Sequence, residues 1–508
     1  MKFQPYTKNY TTLPLKSKAV KIGCTVLLVL ITRLGFTQKI DSLKLVRFSD
    51  AVLELQNSEL VRHGVLSVCV KNVKDSQIIF ALNHERSLPS ASTLKLVTTA
   101  TALSLLGGDF RYQTFLEYDG EIRGDTLIGN LYLRGTGDPS LGSDRFKDYD
   151  NSSKLLSRWY ASVTKVGIKY IKGEVIADDS FFDGNTVADS WIYADLGNYY
   201  GAGVGGLNFN ENLYKVKFKP GLKVGDAAPV LGIEPMVPGL NYANFVLTGE
   251  KGSGDQVNIY GTPLSYNVTL RGTVPAGFTS FSVKGSLPDP AKYVANLLAD
   301  YLTTSTVTIL KADDSLSTRS GSLGARKILD EYQSPPMREL CQQTNWWSIN
   351  LYADAFLRLI GKRLSGKSDY DVASEAVTNY WRSRNADLRG FYIKDGSGLS
   401  PSGSLTTQNL TEILAVETKE KTFTDFYKSI AVVGVNGTVR NLGKGTKATG
   451  NVRAKSGSIE GTRAYTGYVT TKSGAMLSFA MIAHKYQPES SRIVSDELVR
   501  LMTLLTDL

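Results

Sequence analysis

Ser92 and Lys95 lie three positions apart in Ser92-Thr93-Leu94-Lys95. On a helix such a pair shares one face, with about 5–6 Å between Cβ atoms. At that range a neutral amine can take the hydroxyl proton and turn the serine into a nucleophile. Burial or a neighbouring cation favours the neutral amine. The segment opens an apolar run, and at a helix start the dipole and free N–H groups stabilise a developing oxyanion. Ser162-Val163-Thr164-Lys165 has the same spacing, but Gly167 follows it closely. That pair falls at a helix end, where the dipole opposes negative charge.

Two more elements extend the chemistry. Ser348-Ile349-Asn350 is placed at the start of a helix, and Lys455-Ser456-Gly457-Ser458 on a strand. Together with the first pair they give the order S-x-x-K, S-x-N, K-S-G, set on helix, helix and strand, that a lysine-activated acyl transfer uses. Ser265-Tyr266-Asn267 and Lys472-Ser473-Gly474 copy the second and third patterns. The first lies in strand-rich sequence, and the second sits between two apolar runs, where Ser-Gly is ordinary hairpin chemistry.

Other chemistries fit poorly. His63, His84 and His484 are the only histidines, and none lies near a Gly-x-Ser-x-Gly elbow. No His-Glu-x-x-His or paired-cysteine spacing calls for a metal, and no cofactor is implied. Gly201-Ala202-Gly203-Val204-Gly205-Gly206 spells G-x-G-x-x-G, but it neither follows a strand nor opens a helix. It reads as a tight loop packed against backbone rather than a phosphate cradle.

The elements that must position these residues follow from periodicity. Leu53 to Leu60 reads as part of a helix, and Gly64–Asn72 and Gln77–Leu82 as strands. Thr93–Leu106 reads as a buried helix framed by Pro89 and Gly107. From 112 to 286 short strand-like pieces alternate with Gly, Asp and Asn, with one helix at Lys154–Val166. Helices return at Pro288–Leu302, Trp347–Ile360 and Asp371–Ser383. Strands follow at Gly450–Ser456, Ala464–Thr471 and Ala475–His484, then a helix at Ser490–Leu505. The economical arrangement is one α/β (α+β) domain built from 39–111 and 287–508, interrupted by a strand-rich insertion, 112–286, as two small subdomains flanking the cleft.

At 508 residues, 42% hydrophobic and 21% charged, the chain reads as folded and multi-part. Its formal charge of +10 is concentrated at the front. Lys2, Lys8, Lys16, Lys18, Lys21 and Arg33 stand in residues 1–38 without one acidic residue. Removing those six from 58 basic residues leaves 52 against 48 acidic, too even for a nucleic-acid-binding stripe. The lysines precede the apolar run Ile22–Thr32, the pattern of an export signal over 1–38. Arg33, so close to the cleavage zone, leaves a retained anchor as the alternative. Cys69 and Cys341 would remain in the exported protein, as a bridge or as two buried thiols.

The chain resembles the serine D-alanyl-D-alanine carboxypeptidase/endopeptidases of the class C low-molecular-mass penicillin-binding proteins. Besides the three motifs, the resemblance rests on Leu88–Leu96, Gly135-Thr136-Gly137-Asp138-Pro139-Ser140-Leu141, Trp191–Asn212 and Asp395-Gly396-Ser397-Gly398-Leu399-Ser400. It implies the penicillin-recognising serine DD-peptidase (β-lactamase/transpeptidase-like) fold, an antiparallel sheet flanked by helices with a large insertion. The separation of Ser92 from Ser348, 256 positions, leaves room for one.

By the same resemblance Ser92 attacks a D-Ala-D-Ala peptide and carries the acyl group, and Lys95 is its base. Ser348 relays a proton to the leaving amine and Asn350 bonds the substrate amide. Lys455 adds positive potential, Ser456 and Ser458 bind the terminal carboxylate, and Gly457 lies between them. The backbone N–H groups of Ser92 and Ser458 form the oxyanion hole. Peptidoglycan peptides would be the substrate, β-lactams covalent inhibitors, and the periplasm or cell envelope the location. Ser456 replaces the usual Thr and keeps its hydroxyl; no basic residue follows Ser400, which removes one mark of specificity for an acidic side chain. Two other readings use the same fold, a β-lactamase and a non-catalytic cell-wall binding protein; retention of Ser92 and Lys95 weighs against the second.

Overall fold

In a computed structural model, residues 41–310 and 325–508 are described. The 1–38 leader lies outside them. The two ends of the described chain meet in one five-stranded antiparallel sheet, in the order Arg453–Ile459, Thr462–Thr470, Met476–His484, Val65–Asn72, Ile78–Leu82. Val65–Asn72 therefore pairs with a strand more than 400 residues away, with Val65 opposite His484 and Asn72 opposite Leu477.

Period-two alternation gives this sheet two buried faces. Leu66, Val68, Val70, Leu477, Phe479 and Met481 turn to one side. There they pack on Phe48, Val52 and Leu55 of the helix Ser42–Asn57 and on Val494, Leu498 and Met502 of the helix Ser491–Leu505. Ala464, Tyr468, Ala480 and Ile482 turn to the other. That side holds the helices Leu94–Leu106, Met337–Trp347, Asn350–Ser365, Tyr370–Arg382 and Thr407–Glu417. Each large apolar side chain fully buried in this sandwich contributes about 1.5–3 kcal/mol. The antiparallel sheet between helical layers is the α/β architecture expected.

The helix expected over Trp347–Ile360 is found as Asn350–Ser365, and a helix that was not expected, Met337–Trp347, precedes it. Met337–Trp347 ends on Ser348, which takes the left-handed conformation at φ 59°, and a new helix starts at Asn350. The break turns Ser348 out of the helical ladder and toward the sheet.

Between the two halves the described residues form four small sheets, two of four strands and two of three. One hydrophobic cluster runs through all of them, from Leu116 to Tyr332. It takes in Ala291, Val294 and Leu298 of the helix Pro290–Ser305. The strand Lys327–Gln333 pairs with Gln113–Tyr118. The core of the inserted block thus draws on residues beyond 286. Among the described residues no helix is long and apolar enough to cross a membrane. Cys69 and Cys341 are free, buried thiols.

Candidate active site

A short 3-10 turn, Ala91–Thr93, delivers Ser92 to the front of Leu94–Leu106, a helix buried over most of its length. Lys95 has no solvent exposure. Its Nζ lies 2.9 Å from Ser92 Oγ, 2.6 Å from Asn350 Oδ1 and 2.7 Å from the Ser397 carbonyl. The last two accept only, so a free amine donates both hydrogens to them and aims its lone pair at the Ser92 hydroxyl. Burial pushes Lys95 down to about 8, against the opposing pull of Asp354 and Asp395.

Asn350 opens its helix with the amide spanning two elements. Oδ1 accepts from Lys95, and Nδ2 donates to the Tyr200 carbonyl at 2.8 Å. Tyr200 immediately precedes the glycine-rich stretch 201–206, which is the tight loop expected: a Cβ on Gly206 would stand 2.3 Å from the Asp179 carbonyl.

The third motif lies on the edge strand Arg453–Ile459. Lys455, also without exposure, donates to Ser348 Oγ at 2.9 Å and to the Ser456 carbonyl at 2.8 Å. Burial, followed by the charge of Lys95, holds Lys455 well below the ordinary lysine range. Ser456 Oγ pairs with Thr438 Oγ1 at 2.8 Å, and Ser458 is exposed. Gly457 is where strand and nucleophile meet: an added Cβ would stand 2.8 Å from the Ser90 carbonyl and 3.2 Å from Ser92 N.

Residue-type patterns missed the supports. Asp395 Oδ2 accepts from the Trp191 indole N–H at 2.8 Å and from Ser400 N at 2.7 Å, and Oδ1 from Gly398 N at 2.7 Å. This cage shapes the loop that presents the Ser397 carbonyl. Gly398, at φ 75°, touches the nucleophile turn so closely that a Cβ would stand 2.0 Å from the Ala91 carbonyl. Asp354, one turn after Asn350, accepts from Gly396 N at 2.7 Å. The Asp395–Ser400 block is visible in sequence, but carbonyl ligands such as Ser397 and Tyr200 are not.

The rival motifs sit elsewhere. Ser162 Oγ donates back to the Arg158 carbonyl within its helix. Ser265 caps a loop beside Asn267. Ser473 bonds Thr471 in the turn between Thr462–Thr470 and Met476–His484. His484 bonds Thr462, and His63 accepts from its neighbour Arg62. Among the described residues no group of three or more His, Cys, Asp or Glu side chains is arranged to hold a metal.

A helical serine with a lysine one turn on, a left-handed serine before a second helix and a lysine on the edge of an antiparallel sheet place this molecule among the penicillin-recognising serine hydrolase folds. The chain belongs to the D-Ala-D-Ala carboxypeptidase 3 (S13) family, whose model matches residues 51–505. With the family comes the activity, that of a serine D-Ala-D-Ala carboxypeptidase working on peptidoglycan.

Among relatives, the D-alanyl-D-alanine carboxypeptidase of Actinomadura sp. (strain R39) is 25% identical over 461 residues, covering 88% of this chain and 82% of that protein. D-alanyl-D-alanine carboxypeptidase DacB of Haemophilus influenzae is 22% identical over 459 residues, covering 90% and 92%. The crystal structure of penicillin binding protein 4 (dacB) from Haemophilus influenzae aligns with a TM-score of 0.75 at 21% identity, covering 91% of this chain and 99% of that one. At that identity the structural match speaks for the fold.

Proposed function

We propose that Ser92 forms an acyl-enzyme with the penultimate D-Ala of a peptidoglycan stem peptide, with Lys95 as its base. The observation that carries this reading is the buried Lys95 amine, its two other acceptors satisfied and its third direction occupied by Ser92 Oγ at 2.9 Å. Attack moves the hydroxyl proton to Lys95 and places negative charge on the carbonyl oxygen, beside the N–H groups of Ser92 and Ser458. Ser348, bonded to Lys455, passes a proton to the departing D-Ala amine. Asn350 has one Nδ2 hydrogen on Tyr200, and its second is available to the substrate amide. Ser456 and Ser458, with the positive potential of Lys455, receive the terminal carboxylate, and water then releases the acyl group.

The same geometry serves a D-amino-acid cross-bridge as well as a terminal D-Ala, so endopeptidase action belongs to this reading. β-Lactams acylate Ser92 by the same steps; the Haemophilus influenzae penicillin binding protein 4 structure has also been obtained complexed with a β-lactam. Residues 1–38 act as an export leader that places the enzyme in the periplasm or cell envelope. The catalytic domain comprises 39–111 and the C-terminal part of the chain, with the strand-rich insertion between them.

Intact mass after incubation with a labelled penicillin tests the assignment. One label per wild-type molecule and none on Ser92→Ala are expected. Equal labelling of both proteins removes Ser92 from its role. Turnover of a D-Ala-D-Ala peptide together with a long-lived penicillin adduct separates the peptidase from a β-lactamase.

A further inference from the structure

Asn350, Asp354 and Arg358 follow one another at four-residue spacing and share a face of the helix Asn350–Ser365. All three are turned inward. Arg358 is 1% exposed and satisfies its guanidinium on the carbonyls of Asp183, Val204 and Ser368 rather than on a carboxylate. Asp354 is fully buried, with Oδ1 on Gly396 N–H and Oδ2 without any partner. Asp395 accepts from three N–H groups, those of Gly398, Ser400 and the Trp191 indole, whereas Asp354 accepts from one, that of Gly396; the Ser397 hydroxyl stands between the two carboxyls and bonds to either.

A carboxylate with a bare, buried oxygen is costly, and a carboxylic acid in the same place much less so. The groups facing Asp354 are Asp395 from the loop, Lys95 from the nucleophile helix, Arg358 from its own helix and Tyr370 from the next. Those facing Lys95 are Asp354, Asp395 and Lys455. Asp354 and Lys95 are joined at two points. Lys95 bonds Asn350, one turn before Asp354, and the Ser397 carbonyl, adjacent to the residue that Asp354 holds.

We propose that Asp354 is a positioning residue that shares one titratable proton with Lys95 and so sets how much of the enzyme holds that lysine as a free base. With the proton on Asp354, Lys95 is the amine that activates Ser92. With the proton on Lys95, the two carry opposite charges that attract across the bonded bridge, and the base is blocked. The two sites then titrate as a pair, in two overlapping steps. Burial and the charge of Asp395 both push Asp354 upward, into the range where Lys95 titrates. The inference rests on the acyl-enzyme reading above.

The test is the pH dependence of penicillin acylation for wild type and Asp354→Asn, both read as label on Ser92. Asn keeps an acceptor for Gly396 and removes the ionisable proton. The wild-type limb should be broad and need two ionisations. The variant's limb should be a single step with its midpoint lower by about 0.5 pH unit or more, because no negative charge at 354 then favours the protonated lysine. A uniformly slower variant with unmoved midpoint and slope overturns the proposal and leaves Asp354 a structural residue. A wild-type limb that fits one ionisation overturns it alone, so the outcome does not depend on the variant folding. Absence of label on wild-type Ser92 would instead sink the acyl-enzyme reading.

Discussion

Lys95 is where residue-scale chemistry is concentrated, because three acceptors and full burial act on one nitrogen. Lys95→Ala should slow acylation by roughly 10²- to 10⁴-fold, the usual worth of a positioned general base, with the fold intact by circular dichroism. Lys95→Arg should not rescue it, since a guanidinium does not give up its proton. The sign of the pH effect follows from the downward displacement of Lys95. The unfolded chain keeps that proton up to the ordinary lysine range, and the folded chain releases it near 8. Between those values the unfolded state binds more protons, so this group's contribution to stability rises with pH across that window. Spacing together with context, a helix start and the order of the three motifs, made Ser92, Lys95 and Asn350 legible over their copies at 162–165 and 265–267. The Ser397 and Tyr200 carbonyls were not, because a carbonyl oxygen belongs to every residue type and only the fold selects one.

At the scale of elements, the edge strand packs directly on the nucleophile turn at Gly457. Gly457→Ala would drive a methyl into the Ser90 carbonyl and shift one against the other. Displacements near 1 Å at reacting groups can lower rates by about 10²-fold. We expect penicillin labelling to slow by at least about tenfold, with little change in melting temperature.

Glu417, at the end of Thr407–Glu417, gives a second element-scale outcome. Burial pushes its carboxyl up to about 8, opposed by the Ser104 hydroxyl and, less strongly, by the charge of Arg384. The folded state therefore keeps a proton that the unfolded chain loses in the ordinary carboxylate range. That stabilisation is complete at acid pH and is lost as pH rises toward 8. Glu417→Gln should match wild type near pH 4.5 and melt a few degrees higher near pH 8.

The strands of the central sheet were legible as short apolar runs rich in Val, Ala and aromatic residues and bounded by turn residues, since both faces are buried. The helix Met337–Trp347 before Ser348 was hidden because Arg338, Glu339, Gln342, Gln343, Thr344 and Asn345 dilute its apolar stripe. Thr407–Glu417 went unnoticed although its Thr406 and Asn409 side chains form a reciprocal cap, a signal present in the sequence.

Over the whole molecule, the sheet that carries the site is made by chain ends, and the block between them is built around a core of its own. Composition showed the block's texture change at 112. It did not show where the block ends, because Lys327–Gln333 reads as an unremarkable polar stretch until it pairs with Gln113–Tyr118. Limited proteolysis should release a fragment beginning near 112 and ending near 333. Cuts confined to the termini would argue that block and catalytic domain do not separate. The two parts share more than a boundary, since Trp191 and Tyr200 of the block bond Asp395 and Asn350.

Arg453–Ile459 has a neighbour on one side only; on the other, a single bridge from Val432 covers Arg453. Beyond Ala454 no strand among the described residues pairs with that rim, where the Ser456 carbonyl accepts from the Lys455 amine, and it offers an edge to another extended chain. A stem peptide laid there would be gripped by its main chain, as an added strand. Affinity would then depend little on which side chains the peptide carries, and variation in wall composition would be tolerated without any change in the enzyme.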